Sequence, residues 1–293
     1  MIDAFNKAVQ SYEILNSKVI IDEAGIAYYT ENEKHKNSLS FSSKSLEELI
    51  NEQEKIRFHV EEGEFLRVFA SKENDKIRFT FILNHLGGDG KSLLYFIESF
   101  FKSLNNEELG YNRIQLLTNE NIPKECKLPM LAKLLVKSYN KKWQKEKRVF
   151  TFEDLDKAYN SFWSNHKTIT KVSKMTKEEL QENLKKCKEA GIGYTSYDIA
   201  CRIKDKDTKQ DVGLAVSARL DDNRTMSNQA TGISVEYKYD NKKSLIENAS
   251  KEYDYKIHVI HENLTEENKN KLKKLETDYA KIEFYEMDKR LEC

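Results

Sequence analysis

The stretch Asn84-His85-Leu86-Gly87-Gly88-Asp89-Gly90 joins two segments with different periodicities. Before it, residues 76–83 alternate polar and apolar side chains and then become wholly apolar, which predicts a strand that enters the interior. After it, apolar residues between positions 92 and 104 recur at helical spacing, which predicts an amphipathic helix. A glycine-rich turn between a rigid strand and a helix fixes the histidine in place, as catalysis requires.

This strand-loop-helix unit resembles the HHxxxDG signature of the superfamily that contains chloramphenicol acetyltransferase, the condensation domains of peptide synthetases, and wax-ester and alcohol acyltransferases. His85 matches the second histidine of the signature, and Asp89 and Gly90 match its DG, whereas Asn84 replaces the first histidine. The resemblance implies that His85 is the catalytic residue and that Asp89 and Gly90 support the active-site loop. It implies that Asn84 contacts either the loop or the substrate.

The resemblance extends more loosely along most of the chain. Residues 4–21 are similar to an early helix and strand of the family, and residues 178–203 to a helix-turn-helix stretch. Residues 211–219 resemble a strand that often ends in arginine, and residues 228–239 resemble the strand that follows it. These matches imply an α/β (α+β) mixed-sheet sandwich of the chloramphenicol acetyltransferase type.

The same resemblance implies two subdomains. We expect an N-terminal acyltransferase-like lobe at 1–148 that carries the HxxxDG motif, and a C-terminal lobe at 149–293. The chain is shorter than typical two-lobe members, so we expect the second lobe to be incomplete. His85 is expected at a strand end, facing the cleft between the lobes.

The family pattern also implies that Asp89 holds the loop through an ion pair with a distant arginine. The position that matches the family's usual arginine is Asn16 in this sequence. Lys18, Arg67 and Arg78 are the candidate replacements for that arginine. A buried carboxylate without a partner costs several kcal/mol, so we expect Asp89 to contact a basic side chain or several backbone amides.

A neutral imidazole near pH 7 can accept the proton of an attacking hydroxyl or amine. With the resemblance, this chemistry predicts an acyltransferase in which His85 is the general base and a thioester is the acyl donor. The expected co-substrate is acyl-CoA or an acyl-carrier thioester, so the partners are that donor, a small-molecule acceptor and an acyl or peptidyl carrier protein. No bound cofactor is expected. The alternative is a catalytically inactive condensation-like binding or scaffold protein, and a homo-oligomer is a further expectation because self-association would complete a shortened site.

Two other interpretations of the motif remain open. Gly90-Lys91-Ser92 matches the second half of a Walker A loop, but His85 stands where the first glycine of that loop is needed. Alternatively, His85 is a hydrogen-bonded core histidine at a strand end and Asp89-Gly90 is an ordinary turn.

Composition excludes several classes of function. The 49 basic and 49 acidic residues balance, so no net field favours nucleic acid. We identify neither a long apolar run nor a leader, and the four cysteines lie far apart, which together predict a reducing cytoplasm. Cys201 is expected in the core. His258 and His261 have the helical spacing of two metal ligands but no apparent third ligand, so exposed histidines are the preferred interpretation and no metal site is expected.

Local patterns predict alternating helices and strands. A hairpin is expected across 17–30, and Ser45, Thr151 and Thr176 carry the signals of helix N-termini. The other predicted helices lie at 2–13, 129–145, 152–164, 177–190, 243–261 and 266–279. The other predicted strands lie at 64–71, 76–84, 168–173, 211–219, 231–239 and 281–286.

Overall fold

The computed structural model describes residues 1–116, 130–146, 149–170, 172–204, 206, 208–219, 223–250, 255–261, 266, 270 and 280–286. Contacts between these residues divide the chain into two compact units. Unit 1 takes the described residues up to 172 and those between 217 and 231, and unit 2 takes those between 173 and 216 and those from 232 onward. Residues 149–172, which the sequence assigns to the second lobe, therefore lie in unit 1.

Unit 1 combines helices with two small sheets. Strand β1 (Ser17–Ile21) pairs antiparallel with β2 (Ala27–Glu31), as the predicted hairpin requires. A second sheet has the order β3-β4-β5, in which β3 and β4 are parallel and β4 and β5 antiparallel. Its strands are β3 (Ser38–Phe41), β4 (Leu66–Glu73) and β5 (Lys76–Leu83). The helices are α1 (Ile2–Gln10), α2 (Leu46–Gln53), α3 (Gly90–Leu104), α4 (Met130–Glu146) and α5 (Phe152–Asn165).

The core of unit 1 forms where α1 and α3 pack against the sheet. Alternation along β4 buries Leu66 and Val68, and the apolar stripe of α3 contributes Phe96 and Phe100. Aromatic edge-to-face contacts connect the two elements of the motif, because Phe81 of β5 lies 6.3 Å from Phe96 and 5.9 Å from Phe100 between ring centroids. This packing fixes the end of β5 relative to the start of α3.

Unit 2 has its own core. Its helices are α6 (Lys177–Ala190), α7 (Tyr194–Ile203) and α8 (Leu245–Ala249). Strand β6 (Gln210–Ser217) pairs with β7 (Ala230–Tyr237), and β8 (Tyr255–His261) pairs in parallel with β9 (Ala280–Glu286). Ile199, Ala200 and Ile203 of α7 pack with Tyr237 and Ala249. The parallel and antiparallel pairs of the two units confirm the predicted mixed α/β class.

Several local predictions are wrong. The helix predicted at 2–13 ends at Gln10, and a 3-10 turn follows at Glu13–Asn16. The strand predicted at 168–173 has no regular structure where it is described, and the Val172 N–H donates to the Glu47 carboxylate instead of to a neighbouring strand.

The region 243–261 is not one helix. It contains the short α8 and then β8, which is stabilised by pairing with the distant β9. His258 and His261 therefore lie in a strand, and the helix on which their i, i+3 spacing depends is not present at these positions. The helix predicted at 266–279 lies almost wholly outside the described residues.

The described cysteines differ from the prediction in one respect. Cys201 is exposed although the sequence predicts it in the core, and Cys187 of α6 is buried. Burial, followed by the charge of nearby Cys201, raises the pKa of the Cys187 thiol above its usual value. Cys126 and Cys293 lie outside the described residues. In the part of the chain that the structure describes, every helix is too short or too polar to cross a bilayer.

Candidate active site

His85 lies at the first position of the loop that leaves β5. The backbone N–H of Asn84 donates to the Phe65 carbonyl at 2.8 Å, so pairing with the neighbouring chain continues one residue beyond β5. The chain then turns, with the Gly87 N–H donating to the Asn84 carbonyl at 2.8 Å and the Gly88 N–H to the His85 carbonyl at 3.3 Å. The His85 side chain is exposed and has no hydrogen-bond partner among the described residues. His85 is therefore not the hydrogen-bonded core histidine of the alternative interpretation.

The glycines of the loop have unequal roles. Gly88 has φ +146°, and a Cβ added there would lie 2.5 Å from the Ser92 Cβ. A Cβ at Gly87 would lie 3.0 Å from atoms of both Leu83 and Phe65. A Cβ at Gly90, by contrast, would meet no atom within 4 Å. The close approach of the loop to the strand and helix therefore requires glycine at 87 and 88, whereas the supporting role that the family pattern gives Gly90 has no steric basis in this loop.

Two side chains hold the loop from either end. The Asn84 Oδ1 accepts a hydrogen bond from the Leu86 N–H at 2.9 Å. The Tyr29 hydroxyl, which comes from β2, donates to the Leu86 carbonyl at 2.7 Å. Of the two roles left open for Asn84, the loop contact is the one seen. Both polar backbone groups of Leu86 are thus bonded, which restrains the residue next to His85.

Asp89 begins α3 and is almost fully buried. Its Oδ1 accepts from the Ser92 N–H at 2.8 Å and from the Ser92 hydroxyl at 2.9 Å, which is an N-cap geometry. The Gln229 N–H donates to Oδ2 at 3.0 Å. An Arg219 Nη donates to Oδ1 at 3.0 Å, and only 2% of the Arg219 side chain and 4% of the Asp89 side chain are exposed.

The charge of Asp89 is set by opposing effects. Burial alone would raise the pKa of this carboxyl. The backbone hydrogen bonds from Ser92 and Gln229, the Ser92 hydroxyl and the Arg219 guanidinium outweigh burial, so the pKa of Asp89 lies below its usual value. The loop carboxylate is therefore ionised at neutral pH and directed into the protein, away from the exposed His85.

Arg219 belongs to a segment that returns to unit 1 from the second half of the chain. We call residues 217–219 and 223–231 the return segment. Its Ser227 carbonyl accepts from the Ser92 hydroxyl at 3.0 Å, its Thr225 hydroxyl donates to the Arg113 carbonyl at 2.7 Å, and Met226 enters the core of unit 1. The start of α3 is therefore enclosed by chain that lies more than 120 positions away in sequence.

The partners that the sequence suggests for Asp89 are wrong. Arg67 is bound to Glu64 at 2.7 Å, and Arg78 is bound to Glu73. Lys18 makes no ion pair within the described residues. Arg219 is not among the candidate replacements, although it ends the stretch 211–219 that resembles a family strand ending in arginine. That stretch is the sequence signal that points to it.

The geometry also excludes a phosphate-binding Walker A loop. The Ser92 hydroxyl would have to face a metal and phosphates, but Ser92 is fully buried and its hydroxyl bonds to Asp89 and Ser227. The Ser92 N–H, which would meet an anion at this helix N-terminus, is occupied by the Asp89 carboxylate. Across the described residues, no group of three or more His, Cys, Asp or Glu side chains is arranged to hold a metal ion.

Comparison with solved structures identifies the fold. The chain superposes on the first condensation domain of the calcium-dependent antibiotic synthetase, in complex with a substrate analogue, with a TM-score of 0.53 and 11% identity. A second structure of the first condensation domain of that synthetase gives a TM-score of 0.53 and 12% identity. The fold is that of a condensation domain. The matches cover 84% of this chain and 61% and 62% of the condensation-domain chains, so this chain spans about three fifths of their length. No protein-family model and no curated protein matches the sequence.

Proposed function

We propose that the chain is an acyltransferase that moves an acyl group from a thioester to a hydroxyl or amine, with His85 as the general base. The observation that carries the proposal is the exposed imidazole on a loop held by the buried pair of Asp89 and Arg219. The condensation-domain fold supports the same class of chemistry. A rigid loop that presents an unpartnered imidazole to solvent suits a base that must meet a substrate proton.

In the proposed reaction, the acceptor hydroxyl or amine attacks the thioester carbonyl carbon while His85 takes its proton. The tetrahedral intermediate then collapses, the carbon–sulfur bond breaks, and the protonated imidazole returns the proton to the departing sulfur. The products are an ester or amide and a free thiol. No serine or cysteine nucleophile takes part, because the acyl group passes directly to the acceptor. The donor is acyl-CoA or a thioester on an acyl or peptidyl carrier protein.

The test is release of free thiol from a panel of acyl-CoA and acyl-pantetheine donors with hydroxyl and amine acceptors. Positioned general-base catalysis contributes about 10²–10⁴-fold, so His85→Ala should lose at least 100-fold in kcat. Asn84→Ala should have a milder effect, because it loosens the loop and leaves the base. His85 is exposed and its side chain makes no hydrogen bond among the described residues, so urea unfolding of His85→Ala should match wild type closely. Asn84→Ala loses the bond from the Leu86 N–H and should lower the free energy of unfolding by about 0.5–1.5 kcal/mol.

A second function is favoured by one observation. Asn84 replaces a histidine of the family pattern, and its amide oxygen is occupied by the Leu86 N–H. A condensation-like binding or scaffold protein would tolerate that substitution. Wild-type protein that binds a donor thioester in calorimetry but releases no thiol, with His85→Ala unchanged in both, would replace the acyltransferase proposal with this one.

A further inference from the structure

Helix α4 (Met130–Glu146) has no buried residue along its 17 positions. Four large apolar side chains recur at every fourth position and are 52–72% exposed, and we call them the α4 apolar ridge: Leu131, Leu135, Tyr139 and Trp143. Val136 is also exposed beside the ridge, whereas the exposed Met130 and Leu134 lie towards the other side of the helix. A contiguous apolar surface on an exposed helix marks an interaction site.

The opposite side of α4 is basic. Lys133, Lys137, Lys141 and Lys145 also recur at every fourth position, displaced by two residues from the apolar ridge, and we call them the α4 lysine ridge. At about 100° per residue, a displacement of two places the ridges on opposite faces of the helix. No aspartate or glutamate occurs between 130 and 145, and none of these lysines has an acidic partner within the described residues. The helix therefore presents unneutralised positive charge although the whole chain has a net charge of zero.

We propose that α4 binds an anionic lipid surface, lying along it with the apolar ridge in the headgroup boundary. Leucines and aromatic side chains on one face with lysines on the other are the composition of interfacial helices. Tyr139 and Trp143 suit that boundary, because an amphipathic ring places its apolar body in the acyl region and its polar edge in water. The lysines on the opposite face lie within a Debye length of the surface, so they attract the anionic headgroups without direct contact.

Lys142 distinguishes this occupant from a protein partner. It follows Leu131 by eleven residues, which is close to three full turns, so it lies along the apolar ridge and not on the lysine ridge. Glu146, the last residue of α4, follows Lys142 by four positions, so a dry contact with another protein, including a second copy of this chain, would bury both charges. Burying such a pair carries a desolvation cost that its mutual attraction often fails to offset. At a lipid surface its long aliphatic stem lies along the apolar region while the charge reaches the headgroups.

The experiment is flotation of the full chain with vesicles of phosphatidylcholine alone or of equal parts phosphatidylcholine and phosphatidylglycerol. We expect binding to the anionic vesicles only. A Trp163→Phe variant leaves Trp143 as the only tryptophan, and its emission should shift to the blue on binding. The triple variant Lys133→Gln, Lys137→Gln and Lys141→Gln should weaken binding roughly 100-fold, since each lysine near such a surface contributes about 1 kcal/mol. Leu135→Ser should abolish the tryptophan shift.

The matched control removes three exposed lysines from α6, as Lys177→Gln, Lys185→Gln and Lys188→Gln. It changes the net charge equally and should bind like wild type. The proposal is overturned if wild type does not float with anionic vesicles, or if the α6 variant loses as much binding as the α4 variant. It is also overturned if the chain forms a dimer in lipid-free buffer that Leu135→Ser dissociates, which would assign the ridge to a second copy.

Discussion

The Tyr29 hydroxyl reaches the loop from β2 and bonds to the carbonyl of the residue after His85. Burial raises the pKa of Tyr29, so the phenol remains a donor at neutral pH. Under the proposed function, Tyr29→Phe should lower kcat several-fold by loosening the base, while unfolding free energy falls by only about 0.5–1.5 kcal/mol. The adjacent and exposed Tyr28 provides the control, and Tyr28→Phe should leave both quantities unchanged. Equal effects of the two substitutions would contradict a positioning role for Tyr29.

The ionisation of Asp89 makes the stability of the fold depend on pH under acidic conditions. Its pKa is lowered in the folded state, so its ionised form stabilises the fold above the unfolded value near 3.9, and this stabilisation is lost as pH falls through the lower folded value. Asp89→Asn should cost about 3 kcal/mol at neutral pH, because Arg219 would lose its buried counter-ion. Urea unfolding should show that the gap between wild type and variant is constant from pH 5 to 8 and narrows below pH 4.

The ion pair of Glu98 and Arg224 provides an exposed control for the buried pair of Asp89 and Arg219, since both of its side chains are more than 40% exposed. Glu98→Gln should leave the free energy of unfolding nearly unchanged, because solvent screens an exposed ion pair. If Asp89→Asn were as mild as Glu98→Gln, the buried pair would not support the loop. If Asp89→Asn folded like wild type and abolished binding of one substrate, Asp89 would line the acceptor path instead.

The catalytic candidate can be predicted at the residue scale, but its support cannot. His85 is marked by the local order of strand, glycine-rich turn and helix. The partner of Asp89 lies 130 positions away, and three nearer cations are equally plausible from the sequence. Only the packing of the return segment on α3 selects Arg219, and Tyr29 gives no local signal of its contact with Leu86.

At the scale of elements, the helix starts are the most predictable features. The hydroxyls of Ser45, Thr151 and Thr176 each accept a hydrogen bond from the backbone N–H of the third helical residue. The carboxylate of that third residue in turn accepts a hydrogen bond from the backbone N–H of the capping residue. Both partners of these bonds lie within four consecutive residues, so the bonds can be predicted from the local sequence alone. Local patterns miss β3 and indicate helix at β8, because each of these strands is stabilised by a strand distant in sequence, β4 or β9.

The turn between β5 and α3 gives a paired prediction. Gly88→Ala should destabilise the protein by about 1–3 kcal/mol, because φ +146° is strained for alanine and its methyl would overlap Ser92. Gly90→Ala should be neutral or slightly stabilising, since it starts α3 in open space. Chemical denaturation measures both. A Gly90→Ala variant as unstable as Gly88→Ala would contradict this division of roles within the loop.

At the scale of the whole molecule, the two units alternate along the chain. The chain leaves unit 1 after residue 172, contributes α6, α7 and β6 to unit 2, and returns at 217. A pattern of local periodicities predicts neither this alternation nor which helix the return segment covers. The boundary predicted at 148 divides the chain once, and the assignment of the two lobes stays a prediction.

The alternation predicts unequal fragments. A fragment of residues 1–172 lacks the return segment, so Asp89 loses Arg219 and the Gln229 amide, and the core of unit 1 loses Met226. Breaking a buried pair alone costs about 3–5 kcal/mol, so this fragment should unfold at much lower urea than unit 1 does in the full chain. A fragment of residues 1–231 restores these contacts and should recover most of that loss. Equal denaturation midpoints for the two fragments would refute the structural role of the return segment.

The distance along the sequence between Asp89 and Arg219 also determines the delay between their syntheses on the ribosome. The two residues are 130 positions apart. At a synthesis rate of about 5–20 residues per second, Asp89 is made roughly 7 to 26 seconds before its partner. During that interval the nascent chain contains His85 but not Arg219, whose ion pair with Asp89 supports the loop. Synthesis therefore completes His85 and its loop well before Arg219, so the ion pair that supports the loop forms only after the return segment has been made.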